Sequence, residues 1–302
     1  MTDRGPGWPT VLMLMLVVLA FSVVHPLQLM MIPLAMLLVA LPPRRPQLLL
    51  FAALLAALSF TGPRDGLWSV ERGWALLLGG YFVVAILVWP GRAFVLRALA
   101  AVGATAATAS VLIALLGGWA ELDWMMAAHY REVAEAMSRS WPSDLVDAER
   151  AVALAAGLPA RLFPAFLAVG SMAALGVTWW GYRRLTLMGE PLGRLRDFRF
   201  PDPLVWVLIA GVALLVLPVA EWSGRLGSNL VFFMGTLYAL RGLAVLAALV
   251  LGMVGPQLPV LLILGVVGVL LYPIVVAGTL LLGVTDTWLD LRSGRRTAND
   301  EG

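Results

Sequence analysis

The chain has 302 residues, of which 61% are hydrophobic and only 13% charged, and its mean hydropathy is +0.91. Soluble domains carry about 45–50% apolar and about 25% charged residues, so this composition excludes a soluble globular fold. The chain lacks Cys, and all 21 basic residues are Arg. Disulfides, Cys-ligated metals, Schiff-base lysines and a phosphate-binding P-loop are therefore excluded. The net charge of +3 comes from arginines that flank apolar segments, which indicates membrane topology rather than nucleic-acid binding.

The first apolar block, residues 9–41, is interrupted by His25-Pro26. As one helix it would be about 48 Å long, which exceeds a hydrocarbon core of about 30 Å. Pro26 also disfavours helix at the preceding residue. We therefore expect two short spans, 9–24 and 27–41, joined by a tight turn. A cleaved signal peptide is the alternative for the first span, but no small-residue cleavage site precedes the second.

Further apolar blocks follow along the rest of the chain and predict an all-α, polytopic transmembrane bundle. Its expected spans lie at 47–61, 73–89, 93–118, 159–182, 203–220, 228–251 and 257–285. The last block is ambiguous, because Tyr272-Pro273 either kinks one helix or separates two short ones. We expect about nine spans, with eight to ten allowed.

Arginines are concentrated in the segments that alternate crossings place on one side of the membrane. They are Arg4, Arg44, Arg45, Arg92, Arg97, Arg183, Arg184, Arg194, Arg196 and Arg199. The positive-inside rule makes that side cytoplasmic, which puts the N-terminus and the segments 42–46, 90–97 and 183–202 inside. The Arg292, Arg295 and Arg296 tail conflicts with nine crossings and favours a split or re-entrant last segment.

The segment 119–158 holds seven acidic residues against three arginines, a net charge of −4. Its apolar residues recur at helical spacing opposite acidic ones, which predicts an amphipathic extracytoplasmic helix over 121–141. A second helix is expected between Ser143 and Gly157. Such a segment either packs on the bundle or lies in the interface, and a partner-binding lid is the alternative.

We interpret the whole chain, 1–302, as one integral membrane domain with four parts. They are a short-span array at 1–118, the amphipathic loop at 119–158, C-terminal spans at 159–291 and a disordered tail at 292–302.

Arg241 lies near the middle of the apolar stretch 228–251. An Arg at that depth costs about 2.5–3.5 kcal/mol on insertion scales, so we expect it to face the bundle interior and to have a partner. Asp286 is the leading candidate partner and Glu221 the alternative. The Arg either stabilises helix packing, contacts a substrate or lipid headgroup, or snorkels in a shifted helix.

His25 and Gln28 flank the first predicted turn. They are interpreted either as turn and cap residues near the interface or as part of a proton relay or ligand site. No Ser/His/Asp set, pair of embedded carboxylates or metal motif is recognised, so we expect no catalytic residues, no metal, no cofactor and no enzyme activity.

Three segments of the C-terminal half resemble the YybS-like family of bacterial membrane proteins, a domain-of-unknown-function family. They are 192–206, with Arg194-Leu195-Arg196-Asp197-Phe198; the patch Tyr238 to Ala244, where Gln is expected more often than Arg241; and 283–292, with Asp286, Trp288, Asp290 and Arg292 in a G-x-x-D-x-W-x-D-x-R pattern. The resemblance implies a multi-pass protein of the bacterial inner membrane. The N-terminal half is similar only in its pattern of spans.

Two functions are expected from different classes. The first is a small-molecule uptake or permease-like subunit without its own ATPase, suggested by the broken N-terminal spans and Arg241. Its short-helix array is similar in topology to the substrate-binding subunits of energy-coupling-factor transporters. The second is a scaffold or assembly protein that recruits other membrane proteins. The expected partners are the lipid bilayer and other membrane proteins, with no nucleic acid and an unknown ligand.

Overall fold

A computed structural model describes residues 27–41, 46–61, 66–138, 148–193, 197–217, 220–254, 272–289 and 291. This part of the chain contains helices and no strand. The α-helices are α1 (Gln28–Ala40), α2 (Pro46–Phe60), α3 (Gly66–Val88), α4 (Phe94–Leu115), α5 (Trp119–Ser138), α6 (Ala148–Thr186), α7 (Val205–Val216), α8 (Glu221–Val254) and α9 (Tyr272–Leu289), with a 3-10 turn at Asp202–Leu204. The predicted all-α class is confirmed for these residues.

Four of the described helices are long and apolar enough to cross a membrane: Trp68–Val88, Phe94–Leu115, Ala160–Thr186 and Trp222–Leu249. Four shorter apolar helices accompany them: Gln28–Ala40, Pro46–Phe60, Asp202–Val216 and Ile274–Leu289. The predicted span 9–24 and the first part of 257–285 lie outside the described residues. The count of nine spans therefore stays a prediction.

The chain forms two compact units, residues 1–192 and 193–302. The predicted loop 119–158 belongs to the first unit, in which α5 packs on α6 and also touches α3. The boundary at 192 falls inside the predicted C-terminal part 159–291.

Helix α1 is central in unit 1, where it packs against α2, α3 and α6. Its Leu29 and Leu37 are fully buried. Gly79 of α3 lies against Pro33 and Met36 of α1. A β-carbon at this position would be only 2.6 Å from Met36 Sδ, which is too close for a larger residue without a shift of Met36. The helix α1 has 13 residues and is therefore about 20 Å long, which is too short to cross a bilayer alone.

The amphipathic helix predicted over 121–141 corresponds to α5, which begins at Trp119. Leu122 and Met126 are buried, as the pattern predicts, whereas Val133 of the same predicted face is 42% exposed. The apolar stripe of α5 is therefore buried at its start and exposed at Val133. Trp141 lies outside the described residues.

Two bounds predicted from the sequence are wrong. Helix α3 begins at Gly66 rather than at 73. Helix α6 continues from Ala148 through Gly157 to Thr186, so no separate helix ends at Gly157. Gly and Pro are tolerated in membrane helices because neighbouring segments satisfy the backbone.

Arg97 was predicted to lie in a cytoplasmic loop, but it is inside α4 and only 4% exposed. Its guanidinium lies over the Trp179 ring, 5.3 Å from the centroid, and its Nη2 is 3.6 Å from the Glu190 carboxylate. Packing against α6 and the residues that follow it explains the burial. The start of α4 and the end of α6 therefore lie at the same end of unit 1.

In unit 2, α8 packs against both α7 and α9. With 34 residues it is about 51 Å long, well beyond the predicted 228–251. Tyr238 and Val245 of α8 are fully buried. The helix α9 starts at Tyr272, so Pro273 lies in its first turn, where a missing N–H is tolerated.

Candidate functional site

Arg241 is the most heavily bonded buried cation of the described residues in unit 2. It is 2% exposed, and its Nε donates to Asp286 Oδ2 at 2.9 Å. Its Nη2 donates to the Asp286 backbone carbonyl at 3.2 Å, and its Nη1 donates to Asp202 Oδ1 at 2.8 Å. The guanidinium thus joins α8 to α9 and to the turn that precedes α7.

The two carboxylates of this cluster have different surroundings. The Asp286 side chain has no exposed surface, whereas that of Asp202 is 61% exposed. A buried carboxylate depends on its cation, because desolvation of an unpaired charge is costly. An exposed ion pair contributes at most about 1 kcal/mol. The Arg241–Asp286 pair is therefore the energetically important one.

A close crossing of α8 and α9 brings the pair together. A β-carbon on Gly242 would overlap the Thr279 carbonyl oxygen, and one on Gly283 would overlap the Tyr238 carbonyl oxygen. The two backbones are thus in direct contact one residue from Arg241. Small residues permit such approach in membrane helices.

Aromatic rings close the cluster on the remaining side. The Phe200 ring lies 5.5 Å from the Arg241 guanidinium carbon and meets the Tyr238 ring edge-on at 5.0 Å. Phe200 is 5% exposed and Tyr238 is fully buried. These rings exclude water and strengthen the ion pair.

The pairing of Arg241 with Asp286 expected from the sequence is present, whereas a role of either residue toward a ligand stays a prediction. Asp202 was missed, and its position just before an apolar helix was the available signal. Glu221, the alternative partner, starts α8, and its side chain is not described. Trp288 is 64% exposed. Asp290 and Arg292 lie outside the described residues.

Unit 1 contains a second buried polar cluster around Gln28, at the start of α1. Gln28 is 1% exposed and donates from Nε2 to Glu71 Oε2 of α3 at 2.9 Å. Its Oε1 is buried and accepts no hydrogen bond. Gln28 is thus not a surface cap residue, while His25, the other residue singled out at this turn, lies outside the described residues.

The Gln28–Glu71 pair lies more than one helical turn after the first residue of α3. Glu71 comes five residues after Gly66, about 7 Å along the helix axis. Gln28 is the first residue of α1 and lies beside Glu71. The start of α1 is therefore offset from the start of α3 by about that distance along the axis of α3. The pairing near the starts of both helices, together with Gly79 beside Pro33 and Met36, shows that α1 and α3 run parallel.

Further hydrogen bonds connect the same three helices. Trp74 Nε1 donates to Ser171 Oγ at 2.8 Å, one turn along α3 from Glu71. Thr178 Oγ1 donates to the Met30 carbonyl at 3.2 Å, two residues along α1 from Gln28. Helices α1, α3 and α6 therefore share a polar seam inside an apolar unit.

Helix α5 comes close to the Glu71 end of this seam. Burial, and secondly the negative charge of Glu71, raise the pKa of the Tyr130 phenol above its ordinary value. Tyr130 is therefore within electrostatic range of Glu71. Met125, on the same helix, contacts the start of α3 at Gly66.

The side-chain oxygen atoms of this cluster are hydrogen-bond acceptors. Glu71 supplies a carboxylate and Gln28 an amide oxygen, which together suit a solute that carries N–H or O–H donors. Within the described residues no group of three or more His, Asp or Glu side chains is arranged to hold a metal. Sequence reasoning missed Glu71 because the span was placed at 73, two residues beyond it.

Apolar helices of membrane-spanning length with buried charges paired between them define a helical membrane protein. The chain belongs to the family described as predicted membrane protein (DUF2232), whose model matches residues 10–287. This match confirms the resemblance to a YybS-like family of unknown function and extends it over the N-terminal half. No curated protein and no solved structure matches the chain.

Proposed function

We propose that the protein binds a small polar solute inside unit 1 and acts as a permease-like uptake subunit. The observation that supports this most is the buried Gln28 oxygen, which has no donor although it lies beside Glu71. An unsatisfied buried polar atom costs about 1–3 kcal/mol. A solute that donates a hydrogen bond to this oxygen removes that cost.

The charge of the site selects the class of solute. Glu71 is a carboxylate and Gln28 Oε1 an acceptor, so the proposed solute carries a cationic amine with N–H donors. Tyr130 of α5 lies within electrostatic range of Glu71. The seam through Trp74 and Ser171 holds the helices in register.

The helix architecture also supports binding. Transporters place their sites where helices are broken at membrane depth. Helix α1 begins beside Glu71, inside the apolar unit, and contains only 13 residues. The proposed subunit has no ATPase of its own, since the chain lacks the Lys of a phosphate-binding loop. We also propose that the protein is not an enzyme.

Binding is testable with the purified full-length protein and simple probes. We expect ethylamine or putrescine to raise the thermal unfolding midpoint, and acetate and glycerol to leave it unchanged. Gln28→Ala and Glu71→Gln should each weaken amine binding about 10-fold or more, a loss of about 1.4 kcal/mol. The first change removes the amide acceptor, and the second removes the negative charge that attracts the amine. Isothermal titration calorimetry measures the affinities.

Thr105→Ala is the matched control, since Thr105 is also fully buried but bonds only to the Ala101 carbonyl of its own helix. Amine binding should survive in that variant. Equal binding by all three variants, or a preference for acetate, contradicts the proposal. In that case the scaffold role gains weight, supported by Trp124 on the acidic helix α5, which is 72% exposed.

We further propose a bacterial inner-membrane location with the N-terminus and the segments 42–46, 90–92 and 183–202 in the cytoplasm. The concentration of arginines in these segments supports it. In intact cells an impermeant thiol reagent should label Ser138→Cys and not Gly193→Cys, until the membrane is permeabilised. The chain has no native Cys to interfere. Labelling of Gly193→Cys in intact cells rejects this orientation.

A further inference from the structure

Three buried N–H groups near the start of α3 lack an acceptor. Arg72 Nε, Arg72 Nη2 and Trp68 Nε1 are buried, and none has a hydrogen-bond partner. The Arg72 guanidinium carbon lies 5.1 Å from the centroid of the Trp68 ring and 5.2 Å from that of Phe60. The rings hold the cation in place, but they do not satisfy its N–H groups.

Glu71 and Arg72 are adjacent in α3 and contact different helices. Successive residues on a helix point about 100° apart, so Glu71 and Arg72 face different neighbours. Glu71 faces α1, where it accepts a hydrogen bond from Gln28, while Arg72 faces Phe60 at the end of α2. Trp68 and Arg72 are four residues apart and share one helix face. Arg72 therefore contacts Phe60 and Trp68 on a different side of α3 from the one that faces Gln28.

The position of these donors fits the edge of a membrane. Arg72 is the fifth residue of the candidate span Trp68–Val88, about 6 Å from its end. Phe60, the last residue of α2, is 51% exposed, so the cluster is open on that side. Phosphate oxygens of lipid headgroups are among the acceptors found at the membrane edge.

We propose that Arg72 and Trp68 form a binding site for a phosphate group, with Phe60 and the Trp68 ring holding the guanidinium in position. Arg presents two adjacent N–H donors that match a phosphate bidentately, and the indole N–H adds a third. This site is separate from the amine site at Gln28 and does not depend on it. The phosphate belongs either to a lipid headgroup or to a free anion, and experiment separates these sources.

The test uses the full-length protein, delipidated in dodecyl maltoside, which contains no phosphate. The probes are phosphatidylglycerol and inorganic phosphate, each added at constant ionic strength. We expect a probe that occupies the site to raise the thermal unfolding midpoint by about 2–4 °C. Arg72→Gln should abolish this shift. Trp68→Phe should reduce it by half or more, because it keeps the ring and removes the donor.

A shift with phosphatidylglycerol alone assigns the site to a lipid headgroup, and a shift with inorganic phosphate assigns it to a free anion. Arg92→Gln is the control, since Arg92 is exposed beyond the other end of α3. Absence of a shift with both probes overturns the proposal, as does an equal loss in Arg92→Gln. If Arg72→Gln does not fold, Trp68→Phe decides the matter, because retention of its full shift also overturns the site.

Discussion

Replacing Arg241 with alanine should destabilise the protein by about 3–5 kcal/mol, because it leaves a fully buried carboxylate without its cation. Asp286 has no exposed side-chain surface and receives the Arg241 Nε hydrogen bond at 2.9 Å. Unfolding by sodium dodecyl sulfate in mixed micelles measures the loss. Arg241→Gln should be milder than Arg241→Ala, since an amide still donates to Asp286 and Gln is the residue expected more often at this position in the family resemblance.

Two companion variants separate the ion pair from other effects. Arg241→Ala combined with Asp286→Ala should recover part of the loss, because no carboxylate is then stranded. Asp202→Asn should cost at most about 1 kcal/mol, since the Asp202 side chain is 61% exposed. If the double variant loses as much as the sum of the single ones, the pair does not determine the stability of this cluster.

A second large effect is expected at the crossing of α8 and α9. Gly242→Ala places a methyl group against the Thr279 carbonyl oxygen, and Gly283→Ala places one against the Tyr238 carbonyl oxygen. Backbone atoms do not move aside as side chains do, so each change forces the helices apart. We expect a loss of about 3 kcal/mol or more, at the upper end of overpacking effects.

Gly235→Ala is the matched control on the same helix. Its added β-carbon would lie 3.5 Å from Leu280 Cδ1, an ordinary contact with a flexible side chain. We expect it to be neutral or slightly stabilising, because Ala favours helix over Gly. The same detergent unfolding assay compares the three variants. Equal stability of Gly242→Ala and Gly235→Ala would show that the close crossing is not needed.

The depth and pairing of Arg241 were predictable from the sequence because a lone Arg inside an apolar stretch demands a partner. Asp202 was not, because its side chain is mostly exposed and hydropathy marks only the apolar residues that follow it. Glu71 was missed for a related reason. Two adjacent charges ended the apolar window, although α3 includes both of them.

Arg97 shows a different limit of sequence reasoning. Its position in the predicted segment 90–97 indicated an arginine that orients the chain in the membrane. In the structure Arg97 is buried and lies against Trp179 and Glu190. Neither partner is near Arg97 in the chain, so only tertiary packing determines its environment. The burial of Gln28 against Glu71 likewise depends on the packing of α1 beside α3, which no local pattern indicates.

The length of α6 has a mechanical consequence. Its 39 residues make a rod of about 58 Å, nearly twice the thickness of a hydrocarbon core. The apolar part of α6 begins at Ala160. Residues 148–159 therefore form a helical extension of about 18 Å before the span. Because α6 is one continuous helix, it links its contact with α5 to Ser171 and Thr178, which bond to α3 and α1.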